Sequence, residues 1–295
     1  MNVIESITKA TPFLEKHGVT SPRLNAEVLL GYILGIGRLE IYTGFDRPLS
    51  DDEAGRLRLL LIRRASGYPL QYMTREVGFR TAVLEVRPGV FIPRPETEVL
   101  VEKALEVLPD RAVEVLDMGT GCGNIAVCVA LERRDARVTA IDNDWLPVEL
   151  CGRNAARNGV EGAVRALEGD LFEPLKTGRE FDAIISNPPY VPMDKWESLP
   201  LEVRGFEPME ALVAGGDGLD VIRRIIRGAP GHLKEGGWLL LEVDETQAER
   251  VVPLLSSPPR GDNTGGGAWT NAEYFRDLAG RPRVVRARLA GAVES

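Results

Sequence analysis

The strongest constraint in the sequence is the run Val115-Leu116-Asp117-Met118-Gly119-Thr120-Gly121-Cys122-Gly123-Asn124. A short apolar strand passes directly into a glycine-rich turn, and the turn opens a helix. Glycines there tolerate tight dihedrals and let the backbone come within contact distance of a ligand. The helix start adds free N–H groups. From Ala112 onward, short apolar runs alternate with helical stretches. Residues 113–118, 137–141, 163–167, 181–186 and 238–243 read as strands, residues 124–133 and 146–158 as helices, and residues 284–289 as a last strand. This alternation predicts an α/β fold, a doubly wound and mostly parallel sheet with helices on both faces.

Alone, a glycine-rich loop also serves as a purely structural turn. Asp142 strengthens the ligand reading, because it ends the next strand, where a carboxylate can accept both hydroxyls of a ribose. The strand after it ends in Glu168-Gly169-Asp170-Leu171-Phe172. Asp170 and Leu171 suit an adenine amino group and ring, although a turn or helix N-cap suits Asp170 equally. A dinucleotide fingerprint would read Gly-x-Gly-x-x-Gly. This loop reads Gly119-x-Gly121-x-Gly123 with Asp117 two residues before, and so resembles the S-adenosylmethionine loop of class I methyltransferases.

Ser186-Asn187-Pro188-Pro189-Tyr190 follows the fourth strand. Asn187 precedes a proline and is pushed into an extended conformation. Pro188 and Pro189 have no N–H, so the loop cannot continue as a helix. The Asn187 side-chain oxygen and the Pro188 carbonyl form two neighbouring acceptors, and Tyr190 offers a flat face beside them. That combination holds a planar –NH2 group.

Residues 1–75 read as a small helical domain without strand patterns. Ser21-Pro22 suggests a capped helix start carrying Leu24, Val28, Leu29 and Tyr32 at helical spacing. Ser50-Asp51-Asp52-Glu53 reads as a capping box, followed by Leu57, Leu60 and Leu61 and closed near Gly67. Residues 76–95 read as a hairpin linker, with Val77, Phe79, Val83, Leu84 and Val86 on one side, a Pro88-Gly89 turn, and Val90-Phe91-Ile92 on the other. A helix over residues 99–108 follows, and residues 96–295 form the second domain. The stretch 256–268, rich in Pro, Gly and Ser, reads as an exposed or disordered loop.

Composition narrows the function. Lys and Arg number 36 against 44 Asp and Glu, for a net charge of −8. Residues 1–85 hold 11 basic and 10 acidic side chains, so the deficit lies in the rest. Phosphate contacts supply most non-specific nucleic-acid affinity, and no cationic cluster stands out; no direct nucleic-acid substrate is expected. Three cysteines, Cys122, Cys128 and Cys151, lack Cys-x-x-Cys spacing, so neither a disulfide framework nor a metal site is expected. His17 and His232 are the only histidines, which weighs against chemistry built on a histidine base. The longest uncharged apolar run, residues 28–37, is half a membrane span. No signal-peptide core opens the chain. A cytoplasmic monomer is expected.

Asn187-Pro188-Pro189-Tyr190 after such a loop is the hallmark of enzymes that methylate exocyclic or amide nitrogens. Adenine-N6 DNA, guanine-N2 ribosomal RNA and protein-glutamine methyltransferases share it. Other segments separate them. Phe91-Ile92-Pro93-Arg94-Pro95-Glu96-Thr97-Glu98, Ser21-Pro22-Arg23-Leu24-Asn25-Ala26-Glu27 and Gly67-Tyr68-Pro69-Leu70-Gln71-Tyr72 resemble the peptide chain release factor glutamine methyltransferases (the HemK/PrmC family). Glu207-Pro208, Ala211-Leu212, residues 215–219, Leu240-Leu241-Glu242, Gln247 and residues 275–281 continue the match. Two features depart from the family pattern: residues 256–268, and Asp244 where a glycine is common.

The resemblance implies a class I methyltransferase fold with a seven-stranded sheet, and a helical domain that docks the substrate. It implies S-adenosylmethionine as cofactor, held by Gly119, Thr120, Gly121, Cys122, Gly123, Asp142, Asp170, Leu171 and Asn187. The reaction implied is methylation of the side-chain amide nitrogen of the glutamine in the Gly-Gly-Gln motif of class I release factors. Asn187, Pro188 and Tyr190 would be the catalytic residues, and Pro189, Arg94, Pro95, Glu96 and Thr97 would complete the substrate pocket. The rivals are a nucleic-acid amino methyltransferase and a cofactor-binding module that has lost catalysis.

Overall fold

A computed structural model describes residues 1–176, 178, 180–256 and 269–291. Five helices open the chain: α1 (Val3–Lys16), α2 (Pro22–Leu34), α3 (Arg38–Thr43), α4 (Asp51–Ala65) and α5 (Leu70–Thr74). The capping box of α4 is formed, with Ser50 Oγ accepting from the Glu53 N–H and the Glu53 carboxylate accepting from the Ser50 N–H. The start of α2 differs from expectation. Ser21 lies in the left-handed region (φ 51°) and its side chain makes no cap bond. The Asn25 side chain, one turn in, donates to the Thr20 and Ser21 carbonyls instead. The expected apolar stripe of α2 also rotates: Leu24 and Tyr32 are exposed, while Ala26, Leu29, Leu30 and Ile33 are buried. Three of those four core positions were outside the expected stripe, because α2 is apolar on more than one side.

These helices form a first compact unit, Met1–Glu76, which also includes Leu199–Glu207 from much later in the chain. Arg64, 6% exposed, ties that returning segment in. Its guanidinium donates to Asn25 Oδ1 (2.7 Å), to the Tyr68 carbonyl (3.2 Å) and to Glu202 Oε2 (2.6 Å). Phe206 packs edge-on against Tyr68. A boundary at residue 75 therefore captures only part of this unit.

The second unit, Val77–Ser198 with Pro208–Ser295, begins at the hairpin β1 (Glu76–Phe79) and β2 (Ala82–Glu85). Its turn falls at Arg80-Thr81 rather than Pro88-Gly89, with Arg80 at φ 48°, and residues 90–92 are not a strand. The free edge of β2 is satisfied by side chains: Asn154 donates to the Glu85 carbonyl and accepts from the Glu85 N–H, and Asn158 donates to the Val83 carbonyl. No third strand is needed there.

The chain continues through α6 (Thr97–Val107), β3 (Val113–Met118), α7 (Asn124–Glu132), β4 (Ala136–Asp142), α8 (Trp145–Arg157), β5 (Val164–Glu168) and β6 (Phe181–Ser186). After α9 (Leu201–Arg204) come α10 (Asp220–Gly228), β7 (Leu233–Glu242), α11 (Ala248–Ser256), β8 (Trp269–Arg276) and β9 (Pro282–Leu289). Seven strands form one sheet in the order β5-β4-β3-β6-β7-β9-β8. The first five are parallel, β9 runs antiparallel to β7, and β8 pairs antiparallel with β9 at the edge. Strand β8 escaped the sequence reading because Thr270, Asn271 and Glu273 break any apolar run. The stretch expected to be a loop lies outside the described residues from 257 to 268. Leu116, Met118, Ile184, Leu239, Leu241, Ile222, Ile225 and Val285 form one buried cluster with the sheet at its centre. Each such side chain contributes about 1.5–3 kcal/mol by leaving water. No helix among the described residues is long and apolar enough to cross a membrane.

Candidate active site

The carboxyl ends of β3 and β6 adjoin, and Ser186 Oγ donates to the Met118 carbonyl at 2.7 Å. This bond sets Asn187 beside the glycine loop, where crevices of open parallel sheets lie. The cleft there measures about 490 Å³, within the usual range for small-molecule sites. Gly119, Thr120, Gly121, Asp142, Asp170, Leu171, Asn187, Pro188, Pro189 and Tyr190 all line it.

The glycine loop is bound from beneath. Asp117, fully buried, accepts from the Thr120 hydroxyl (2.6 Å) and the Ala126 N–H (3.1 Å), clamping strand, loop and helix together. Burial pushes its carboxyl up to about 7, against the pull of those two bonds. Gly119, Gly121 and Gly123 all have positive φ. At Gly123 the need for glycine is also steric, since a Cβ would come within 2.8 Å of Cys151 Sγ. Asp142 Oδ2 accepts the Gly121 N–H at 2.9 Å, which fixes the carboxylate in the cleft wall. Burial raises its pKa, countered by the N–H groups of Gly121, Asp144 and Asn143.

Not every expected residue reaches the cleft. Cys122 is buried behind the loop, where its carbonyl accepts from Asn154 Nδ2, and neither it nor Gly123 lines the cavity. Asp170 does line it, and its carboxylate pairs with Arg224 at 2.6 Å rather than capping a helix. On the hairpin side the wall is Gly89, Val90 and Phe91 rather than residues 94–97. Arg94 lies over the Phe91 ring at 5.0 Å, Pro95 is exposed, and Glu96 precedes α6. Thr97 is fully buried, and Asn187 Nδ2 donates to its hydroxyl at 3.1 Å.

The tetrad loop is held from its far side by Gln247, whose Nε2 donates to the Tyr190 carbonyl at 2.9 Å. Gly218 (φ 73°) passes so close that a Cβ there would overlap the same carbonyl. Asp244 gains a physical role here. Its carboxylate accepts from the Thr246 N–H and hydroxyl, and its own N–H donates to Gln247 Oε1, so it shapes the turn that presents Gln247. Burial raises the Tyr190 hydroxyl well above its ordinary pKa, and the nearby Glu242 carboxylate adds to this. The phenol therefore stays protonated.

Residues 5–74 match the PrmC N-terminal domain and residues 86–198 the methyltransferase small domain. A release factor glutamine methyltransferase of Geobacter sulfurreducens is 44% identical over 83% of this chain and 84% of its own length. One of Koribacter versatilis is 38% identical over 98% of this chain and 99% of its own. The chain belongs to the release factor glutamine methyltransferase family. Among solved structures, a ribosomal protein L11 methylase of Lactobacillus delbrueckii subsp. bulgaricus is 18% identical, with a TM-score of 0.48 over 70% of this chain and 85% of that one.

For a member of this family the remaining polar groups are consistent with a site that uses no histidine. His17 sits on α1 with Nδ1 against the Phe13 carbonyl, and His232 stacks on Phe172; neither lines the cleft. The three cysteines are free and buried. Sequence reasoning did not pick out Trp145 and Arg224 on the cleft wall, or Glu242 behind it. Trp145 and Arg224 had no local pattern to betray them. Glu242 entered only through the Leu240-Leu241-Glu242 match to the family pattern, which gave it no role.

Proposed function

We propose that this enzyme transfers a methyl group from S-adenosylmethionine to the side-chain amide nitrogen of the glutamine in the Gly-Gly-Gln motif of class I release factors. The observation that carries the reading is the position of Asn187-Pro188-Pro189-Tyr190 on the wall of the same cleft as the glycine loop. The cleft residues suit an adenosyl cofactor. Asp142 offers a carboxylate at the end of β4, Gly119 to Gly121 offer an uncrowded backbone, and Leu171 offers an apolar surface. When bound, the cofactor supplies an electrophilic methyl group on a sulfonium sulfur.

The chain's own residues do the rest. An amide nitrogen is a poor nucleophile because its lone pair is delocalised. The Asn187 carbonyl oxygen and the Pro188 carbonyl accept its two N–H groups, which aims the lone pair and lets charge build on nitrogen. Positioning of this kind supplies several kcal/mol of barrier lowering, and preorganised acceptors add electrostatic stabilisation. Tyr190 packs its ring on the planar amide. No strong base is required, because the methylated amide cation sheds its proton readily.

The test is transfer from labelled S-adenosylmethionine with purified release factor, total RNA and duplex DNA run in parallel. Label in the release factor alone is expected. Label only in nucleic acid would keep the fold and overturn the substrate.

A further inference from the structure

Glu242 is almost fully buried beside the cleft, 1% exposed at the last position of β7, and the chemistry above gives it nothing to do. The sheet explains its location. Strands β6 and β7 run parallel with Ser186 opposite Leu241, so Asn187 and Glu242 are the next residues on adjacent strand ends. Thr97, the first residue of α6, joins them: its hydroxyl lies within hydrogen-bonding reach of the Glu242 carboxylate and accepts from Asn187 Nδ2 at 3.1 Å. The Tyr190 hydroxyl approaches Glu242 Oε1 at 3.4 Å. Both side chains assigned to the substrate amide thus lead back to one carboxylate.

We propose that Glu242, through the Thr97 hydroxyl, is a positioning residue that fixes which end of the Asn187 amide faces the substrate. This rests on the reading that Asn187 accepts an N–H from the substrate glutamine. An ionised carboxylate can only accept hydrogen bonds. It therefore takes the Thr97 proton, which leaves the Thr97 lone pairs for Asn187. Asn187 must then turn its –NH2 end inward, and its carbonyl oxygen is left toward the cleft. Reversed, the amide would present –NH2 to the –NH2 of the substrate, and neither group could accept. A neutral Glu242 can donate to Thr97, which frees the Thr97 proton for the Asn187 oxygen and permits that reversal.

The surroundings make this polarity sensitive to pH. Burial pushes the Glu242 carboxyl up to about 7, opposed by the Thr97 bond, Arg283 from β9 and the Tyr190 hydroxyl, while Glu96 pushes it further up. Arg94 and Asp244 act on Tyr190 beside it. One carboxylate oxygen, Oε2, has no hydrogen-bond partner among the described residues. Such a group destabilises the fold when ionised, so a role in polarity accounts for keeping it.

The decisive comparison is wild type, Glu242→Gln, Thr97→Val and Thr97→Ser, assayed for methyl transfer to a release factor across pH 6 to 9. Wild-type kcat should rise with pH through about 7. Glu242→Gln and Thr97→Val should lose tenfold or more in kcat at pH 8, flatten that rise and keep S-adenosylmethionine affinity within threefold, while Thr97→Ser restores the rate. Glu242→Gln should also melt no lower than wild type at pH 8, since it removes a buried charge. A structural prop would instead lose stability and activity together, and that result overturns the proposal, as does wild-type kcat with an unchanged pH profile. A substrate-free reading separates this idea from the function it rests on. By NMR, the Asn187 side-chain –NH2 should exchange at least tenfold faster in Thr97→Val than in wild type. Equal exchange defeats the relay even if methyl transfer to release factors holds, and slower wild-type exchange supports it even if that transfer fails.

Discussion

At the scale of single residues, two expectations follow. Asn187→Ala removes the acceptor but leaves the glycine loop intact, so turnover should fall a hundredfold or more while calorimetric affinity for S-adenosylmethionine stays within a few-fold. Parallel loss of both would mean that Asn187 serves the cofactor rather than the amide. The second concerns pH and the fold. Asp117 and Glu242 both have carboxyls pushed up to about 7 by burial. Between about pH 4 and 7 the folded chain therefore holds protons that the unfolded chain has released. Stability contributed by each is present at low pH and lost as pH rises through 7, on the order of 3 kcal/mol per group. The drop in melting temperature from pH 5 to 8 should thus be smaller in Glu242→Gln than in wild type. Stability and activity then run in opposite directions with pH, and an unchanged slope would show that Glu242 is ionised throughout. The residues of the tetrad and the glycine loop were legible in the sequence because each carries its chemistry locally. Glu242 and Thr97 were not legible as partners of Asn187, since 55 and 90 residues of chain separate them from it and only the sheet register brings them together.

At the scale of elements, helix starts give a paired test. Ser50 caps α4 through both bonds of a capping box, so Ser50→Ala should cost about 1 kcal/mol by denaturant unfolding. Ser21 stands in an equivalent sequence context before α2 but makes no cap bond, and Ser21→Ala should stay within about 0.5 kcal/mol. A pairing of residue type with position suggests both caps; the backbone dihedral decides which one forms. Gly123→Ala should be far more severe, about 2–4 kcal/mol, because a left-handed φ and contact with Cys151 combine. Strands β3, β4 and β6 were readable because buried parallel strands are continuous apolar runs. Strand β8 alternates with polar residues at a sheet edge, and the β1–β2 turn carries neither Gly nor Pro at its centre, so neither announced itself.

At the scale of the whole chain, the sequence reads as a helical part followed by an α/β part, each a continuous stretch. In the fold, Leu199–Glu207 belongs with the first unit. Its anchor is an ion pair between residues 138 positions apart, a distance at which no local pattern operates. Glu202→Ala leaves the buried Arg64 guanidinium short of one partner and should destabilise the first unit by about 1–2 kcal/mol, discounted because the carboxylate side is partly exposed. Unfolding followed by the tyrosines of that unit reads this directly, and an unchanged midpoint would remove Arg64 as its anchor. The central claim, that the cleft recognises a glutamine side-chain amide, is tested most directly by presenting two release factors that differ only in Gly-Gly-Gln against Gly-Gly-Glu. Methyl label should enter the first and map to that glutamine, and the second should take up none. Equal label in both would show that the acceptors of Asn187 and Pro188 do not read the amide.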